Sequence, residues 1–309
     1  MFECALEQGE LFRKIISAIS DLVQEGNFQI NNEHVSLQGM DSSHVSLVAL
    51  SLRQSGFKEY RCDRDLTLGI NFGSLGKVLK CMGNNDRLKL KCQDDGDSIY
   101  ICFESQTNRI SNFELKLMDI DQEQLGIPET TYAVNISIPS MLFQKIIRDL
   151  SAIGDSVTIT VNKTGVTFSV NGDIGKGDVT LSGTVKKINK TDDGNNDNDN
   201  DSAEPKTETK GNVDDDDDDD MKDKTDNNDD DVEAVDDDDA NEDDVYIVMN
   251  DDVSQTFALR YLINFTKATI LSKKVTLSMG AEVPLKCHYK IDDLGDIAYY
   301  LAPKIDDDE

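Results

Sequence analysis

Seven cations stand where they could hold a polyanion: Arg13 and Lys14, Lys77 and Lys80, Lys145 and Arg148, and Lys267. They stand out because the 309-residue chain is otherwise acidic, with 61 Asp and Glu against 31 Lys and Arg and a formal net charge of −30. Ammonium and guanidinium groups spread along helices meet phosphate oxygens and not base edges, which gives binding without sequence readout. Arg109 is counted with them as facing nucleic acid. The chemistry expected is therefore binding. No G-x-S-x-G, H-E-x-x-H or G-x-x-x-x-G-K-[ST] pattern occurs, and the glycine-rich piece 172–177 precedes a strand-like run instead of a helix. Asp41 and His44 could be imagined as an acid–base pair, but the MDSSH stretch is more simply a polar loop. No spaced ligand set for a metal ion is present, and no cofactor is expected.

The cations are positioned by a stretch that is written twice. Residues 11–20 read LFRKIISAIS and residues 142–151 read LFQKIIRDLS, so Leu, Phe, Lys, Ile, Ile and a closing Ser recur at an offset of 131. In both copies the apolar residues keep helical spacing, at Leu11, Phe12, Ile15, Ile16, Ile19 and at Leu142, Phe143, Ile146, Ile147, Leu150, with the cations off that stripe. The offset persists into alternating strands, where Phe28, Ile30, Val35 and Leu37 fall on Ile159, Val161, Val166 and Phe168 around turn residues. A second helix is expected in each half, at 71–81 and 259–268, each followed by a strand, 88–92 and 275–278. The fold class is thus α+β: two repeated domains, each with two helices on one face of antiparallel sheet.

Two further segments, 108–116 and 174–182, are strand-like without a partner in their own half. Exposed edges of that length invite pairing with another chain, and head-to-tail pairing closes into a ring where the rotation allows. Three chains would then present twelve cationic helices inward. At about 10 Å per helix the ring has a bore of about 38 Å, room for a duplex.

Composition breaks between 188 and 244, where 27 Asp or Glu meet 5 Lys with no aromatic residue, including an unbroken Asp run at 214–220. Such a tract cannot bury enough apolar surface to offset chain entropy, and a disordered insertion is expected. Removing its net −22 from the chain's −30 leaves the other 252 residues at −8, ordinary globular sequence for two units. The domains expected are 1–118, a connector at 119–133 carrying Gly126 and Pro128, and 134–187 with 245–309. The flanks of the tract, 181–185 and 245–249, both read as strands, so that shortening the loop should leave a hairpin. The six cysteines show no C-x-x-C pair, which suggests reduced thiols in an intracellular protein. The opening residues lack a signal-peptide pattern and no run approaches the ~20 apolar residues of a membrane span, so a soluble protein with no membrane partner is expected.

Longer blocks carry a resemblance. The stretches MDSSHVSL (40–47), YRCDR (60–64), KLMD (116–119), QLGIPE (124–129) and YYLAPKI (299–305) are similar to the proliferating cell nuclear antigen family of eukaryotic DNA sliding clamps, over everything but the acidic tract. The resemblance implies a nuclear, non-enzymatic homotrimeric ring that encircles double-stranded DNA. A clamp loader would open it, and replicative polymerases and repair proteins would dock through short peptides. It places that peptide in a pocket formed by Met40, His44, Val45, Leu47, Leu125, Gly126, Ile127, Pro128, Pro284, Tyr300, Leu301, Ala302 and Pro303. Pairing of the two edge strands makes Phe113 and Gly177 the sensitive points of the subunit interface, where a side chain at Gly177 would obstruct backbone approach, and the resemblance makes Lys163 the lysine modified by ubiquitin or SUMO. Three positions depart from the family: Ser20 and Ala152 stand where a basic or His side chain is common, and Phe113 where Tyr is common. The competing expectation is an acidic chaperone or DNA mimic that captures basic partners through 188–244.

Overall fold

Short runs of alternating apolar and polar residues, broken by turns, make strand the commonest element among the described residues, and the computed structural model describes residues 1–94, 96–121, 126, 130–187 and 244–304. The first half runs β1 (Phe2–Leu6), α1 (Gly9–Ser20), β2 (Glu25–Ile30), β3 (His34–Met40), β4 (Ser46–Arg53), β5 (Glu59–Cys62), β6 (Leu66–Asn71), α2 (Phe72–Leu79), β7 (Arg87–Cys92), β8 (Ser98–Glu104) and β9 (Ile110–Lys116). The second half runs β10 (Val134–Pro139), α3 (Ser140–Ser151), β11 (Ser156–Asn162), β12 (Gly165–Gly172), β13 (Gly175–Leu181), β14 (Thr184–Lys187), β15 (Tyr246–Met249), β16 (Val253–Ala258), α4 (Leu259–Phe265), β17 (Lys274–Met279), β18 (Leu285–Ile291) and β19 (Gly295–Leu301). A 3-10 turn, Thr266–Ile270, continues α4. The residues expected at 122–125, at 127–129 and in the acidic insertion as far as 243 lie outside the described residues, and so does that insertion's expected disorder.

The repeat read from sequence is a repeat of pairing. Phe28 faces Leu37 and Ile30 faces Val35 across β2 and β3, and at the 131 offset Ile159 faces Phe168 and Val161 faces Val166 across β11 and β12. Strand β1 lies between β5 and β7 as β10 lies between β15 and β17, and β2 lies between β3 and β6 as β11 lies between β12 and β16. Burial follows both periods. Phe12, Ile15, Ile16 and Ile19 of α1 and Phe143, Ile146, Ile147 and Leu150 of α3 are buried, while Leu11 and Leu142 are half-buried at the rim. The helices pack as a row, α2 against α1, α1 against the 3-10 turn, and that turn and α4 against α3.

The halves join through sheet. Seven residues of β19 pair antiparallel with β4, from Gly295 opposite Leu52 to Leu301 opposite Ser46, making one ten-stranded sheet ordered β14-β15-β10-β17-β18-β19-β4-β3-β2-β6. Gly295 has φ +156°, and a Cβ there would lie 1.9 Å from the Ser51 carbonyl oxygen, so only glycine lets the two backbones approach. Behind the seam the rings of Phe265 and Tyr299 stack with centroids 4.7 Å apart, and the Tyr299 hydroxyl donates to the Ala18 carbonyl of α1 at 3.2 Å.

The remaining sheets are β5-β1-β7-β8-β9 and β13-β12-β11-β16. Their outer strands β9 and β13 are the two segments expected to lack a partner, and each offers a seven-residue edge. Other edges are short or occupied. The Met118 N–H donates to Gly69 of β6, and the Lys304 N–H donates to Thr256 of β16.

The hairpin expected at the base of the insertion does not form. Strand β14 lies parallel to β15, Thr184 opposite Tyr246 and Lys187 opposite Met249, and no strand of the first half corresponds to it. Alternation marks a strand but carries no direction, and a parallel neighbour needs a return path of about a dozen residues or more. A long insertion supplies that path; a tight turn cannot. Deleting 190–243 would leave only 188, 189, 244 and 245 between β14 and β15. This deletion should release β14 and remove hydrogen-exchange protection from those β15 amides that face it, with the rest of the fold intact. A version retaining about twenty linker residues should keep the protection. Equal protection in both would show that β14 does not depend on the insertion's length.

Candidate functional site

Three sets of residues qualify: the helix cations, the apolar surface near β19, and the two free edges. Among the cations the helices separate two kinds. Lys77, Lys80, Lys145 and Arg148 are exposed and make no ion pair among the described residues. The others are engaged. Arg13 donates to Glu10 at 3.2 Å, to the Asn84 side chain at 3.2 Å and to the Met82 carbonyl at 3.3 Å, and Lys14 lies 3.8 Å from the same Glu10. Arg109 donates to Asp86 at 2.9 Å. That carboxylate is buried and also accepts from the Gly83 N–H, and this bond and then Arg109 hold it below the usual carboxylate range against the opposing effect of burial. Lys267 pairs with Asp21, which follows α1, so the 3-10 turn of one half is tied to the first helix of the other. Ser20 donates to the Ser17 carbonyl and Ala152 follows α3, so neither presents a cation.

The second set is assembled by register. Met40 of β3 faces Leu47 of β4, and Leu47 faces Tyr300 of β19, a cross-strand row of half-buried apolar side chains on one sheet face. Leu301 is buried, Pro303 half-buried, and Ala302 and Pro284 are exposed beside the row. Val45 is half-buried and His44 exposed in the turn between β3 and β4, where His44 has φ +56°. Gly126 is exposed, with nothing within 4 Å of where its Cβ would be; Leu125, Ile127 and Pro128 lie outside the described residues.

Two residues at this surface escaped the sequence reading. Tyr132 is half-buried, and burial together with the nearby Tyr300 and Cys287 pushes its hydroxyl up to about 12. Asp41, read as an ordinary loop residue, is 7 % exposed and is the hub of the 41–46 turn. Its Oδ2 accepts from the Ser43 N–H at 2.9 Å, and its Oδ1 accepts from Val45 N–H at 2.9 Å and Ser46 N–H at 2.6 Å. Burial raises its pKa, but these bonds to Ser46, Ser43 and Val45 outweigh it and hold the group ionised. The only sequence signal was Asp followed by Ser and His before a strand, which an Asx turn would explain.

At the free edges, Phe113 of β9 is half-buried against Phe103, ring centroids 5.3 Å apart. Gly177 of β13 is half-buried. Alternation along β13 places it on the same face as the partly buried Val179 and Leu181, and a Cβ there would meet Ile153 Cδ1 of its own chain at 2.9 Å. A side chain there would therefore also crowd the chain's own packing. Lys163 is exposed in the two-residue turn between β11 and β12, where Asn162 Oδ1 accepts from the Thr164 N–H at 2.9 Å. All six cysteines are free, no cluster of three or more potential metal ligands occurs among the described residues, and none of their helices is long and apolar enough to cross a membrane.

A doubled α+β unit with a row of cationic helices, whose two open edges copy the partners of its own internal seam, has the build of a ring-forming clamp. Comparison with protein families identifies the ring: residues 1–125 match the model described as Proliferating cell nuclear antigen, N-terminal domain, and residues 126–203 and 226–304 match Proliferating cell nuclear antigen, C-terminal domain. The chain belongs to the proliferating cell nuclear antigen family of DNA sliding clamps. The match breaks at 204–225, inside the acidic tract.

Pairing inside the protein predicts an order among the cations. Lys145→Ala removes an unpaired charge and Lys267→Ala one already offset by Asp21, so the first should weaken DNA association more and lower the salt slope by about one per lost phosphate contact. DNA retention measured at two salt concentrations checks this; equal losses would show that the Asp21 pair does not shield Lys267.

Proposed function

We propose that the protein is a homotrimeric processivity clamp: a loader opens the ring on primed DNA, the unpaired helix cations face the duplex, and polymerases and repair proteins dock on the Met40, Leu47 and Tyr300 row. The observation that carries this reading is the correspondence of edges. Strand β9 holds the place in the first half that β19 holds in the second, and β13 holds the place of β4, so β9 of one chain on β13 of the next repeats the β4–β19 seam. Each seam then turns the chain by a similar angle, and six seams, three within and three between chains, suit closure. The docking reading draws on a cross-strand apolar row walled by a rigid turn, the kind of groove that takes a short helical peptide by its apolar and aromatic anchors. A nuclear location accords with action on chromosomal DNA. An acidic chaperone gains no support from a family match that spans the folded residues on both sides of the tract.

The test is sedimentation together with loader-dependent synthesis on primed circular DNA. Phe113→Ala removes a large apolar group beside the edge, about 3–5 kcal/mol for a fully buried ring and less here. The expected result is trimer dissociation at sub-micromolar concentration and loss of long products, while the monomer keeps its fold. A Phe113→Ala trimer as stable as wild type would remove β9 from the interface. Lys163 is the site proposed for conjugation to ubiquitin or SUMO, since its turn leaves the side chain exposed. Mass spectrometry of protein from DNA-damaged cells should find the conjugate there, and conjugates confined to other lysines would overturn the assignment.

A further inference from the structure

The apolar row needs a wall that holds its shape, and among the described residues the Asp41 carboxylate is the hub of the 41–46 turn between β3 and β4, which its backbone also closes through Asp41 N–H to Ser46 and His44 N–H to Asp41, each at 3.0 Å. Besides the N–H groups of Ser43, Val45 and Ser46, its carboxylate accepts from the Ser46 hydroxyl at 3.1 Å. The turn so formed places the Val45 carbonyl where the Ala302 N–H donates to it at 3.1 Å, joining turn and 301–303 segment into one surface. One further donor arrives from the other half of the chain, 220 residues away. The Tyr261 hydroxyl of α4 reaches Asp41 Oδ2 at 3.2 Å. That hydroxyl accepts in turn from Arg260 Nη2 at 3.0 Å, and the Arg260 guanidinium carbon lies 4.7 Å from the centre of the same ring. Tyr261 is 6 % exposed, whereas Arg260 is exposed. A hydroxyl that accepts from a cation donates more strongly to an anion, so the three groups polarise one another in a single direction.

We propose that Tyr261 is a positioning residue for the docking groove, holding the 41–46 turn through Asp41 so that peptide affinity depends on a helix residue the peptide does not touch. The proposal rests on reading the Met40, Leu47 and Tyr300 surface as the docking site. Tyr261→Phe removes the tie and keeps the ring's packing. Its main effect falls on the turn, and through the turn on how long a peptide stays bound, because most affinity changes at an existing interface are changes in dissociation rate.

The experiment uses the full chain and a labelled 16-residue peptide bearing apolar and aromatic anchors on one helical turn. Three quantities are read: peptide affinity, hydrogen exchange at the Ser43, Val45 and Ser46 amides, and sedimentation. For Tyr261→Phe the expected result is affinity about five- to tenfold weaker, faster exchange at those amides, and an unchanged trimer. Arg260→Gln, which leaves Tyr261 in place, should shift affinity and exchange in the same direction by less, and it serves as the test if Tyr261→Phe does not assemble. Unchanged affinity, or weaker affinity with unchanged exchange, overturns the proposal. Wild-type protein that does not bind the peptide overturns the docking reading instead, and exchange at the three amides then decides whether the tie exists.

Discussion

The architecture depends on one strand pairing, β4 with β19. Both strands are outermost in their own halves, and an outermost strand leaves a row of N–H and C=O groups that must find water or another strand. Here each edge satisfies the other for seven residues, and a glycine at position 295 permits the contact. Once that seam is made, the 131-residue repeat settles what remains: the first half still has β9 and the second still has β13, the same two kinds of edge in the same relation. A molecule whose halves join in this way carries the instructions for joining copies of itself. The helix row follows too, because a seam of constant geometry keeps successive helix pairs on one side of the sheets.

Much of this was legible in the sequence because it rests on local periods. A period of 3.6 identified the buried stripes of α1 and α3, and a period of 2 identified β2 with β3 and β11 with β12, down to Phe28 opposite Leu37 and Ile159 opposite Phe168. The free edges were legible as strands left over after local pairing. Other features depend on direction or on distant partners, which periodicity does not encode. Strand β14 looks like half of a hairpin until its parallel register is seen. Gly177 reads as an interface glycine, and its contact with Ile153 of its own chain follows only from the alternation along β13. Asp41 looks like a loop carboxylate because its donors are mostly backbone N–H groups, invisible in composition, and its side-chain partner Tyr261 lies in the other half. The cations Arg13, Arg109 and Lys267 could be recognised as basic but not as already paired.

That last distinction bears on how so acidic a chain can hold DNA. Net charge describes the far field, and at physiological ionic strength the field of a charge decays over about 8 Å. What a phosphate meets is the local surface. Four exposed cations, Lys77, Lys80, Lys145 and Arg148, make no ion pair among the described residues, while Arg13, Lys14, Arg109 and Lys267 pair with carboxylates of the protein itself. The internal pairs fix loops and join helices; the unpaired groups retain their counterions until a phosphate displaces them. The insertion's negative charge enters from the outermost strand of the ten-stranded sheet, where Thr184 bonds to Val245 at its base. Lowering the salt lengthens the reach of every exposed charge, and it strengthens the exposed ion pairs of Lys14 and Lys267 as well. Salt therefore sets how far the unpaired cations attract phosphate, without altering the seams that hold the fold together.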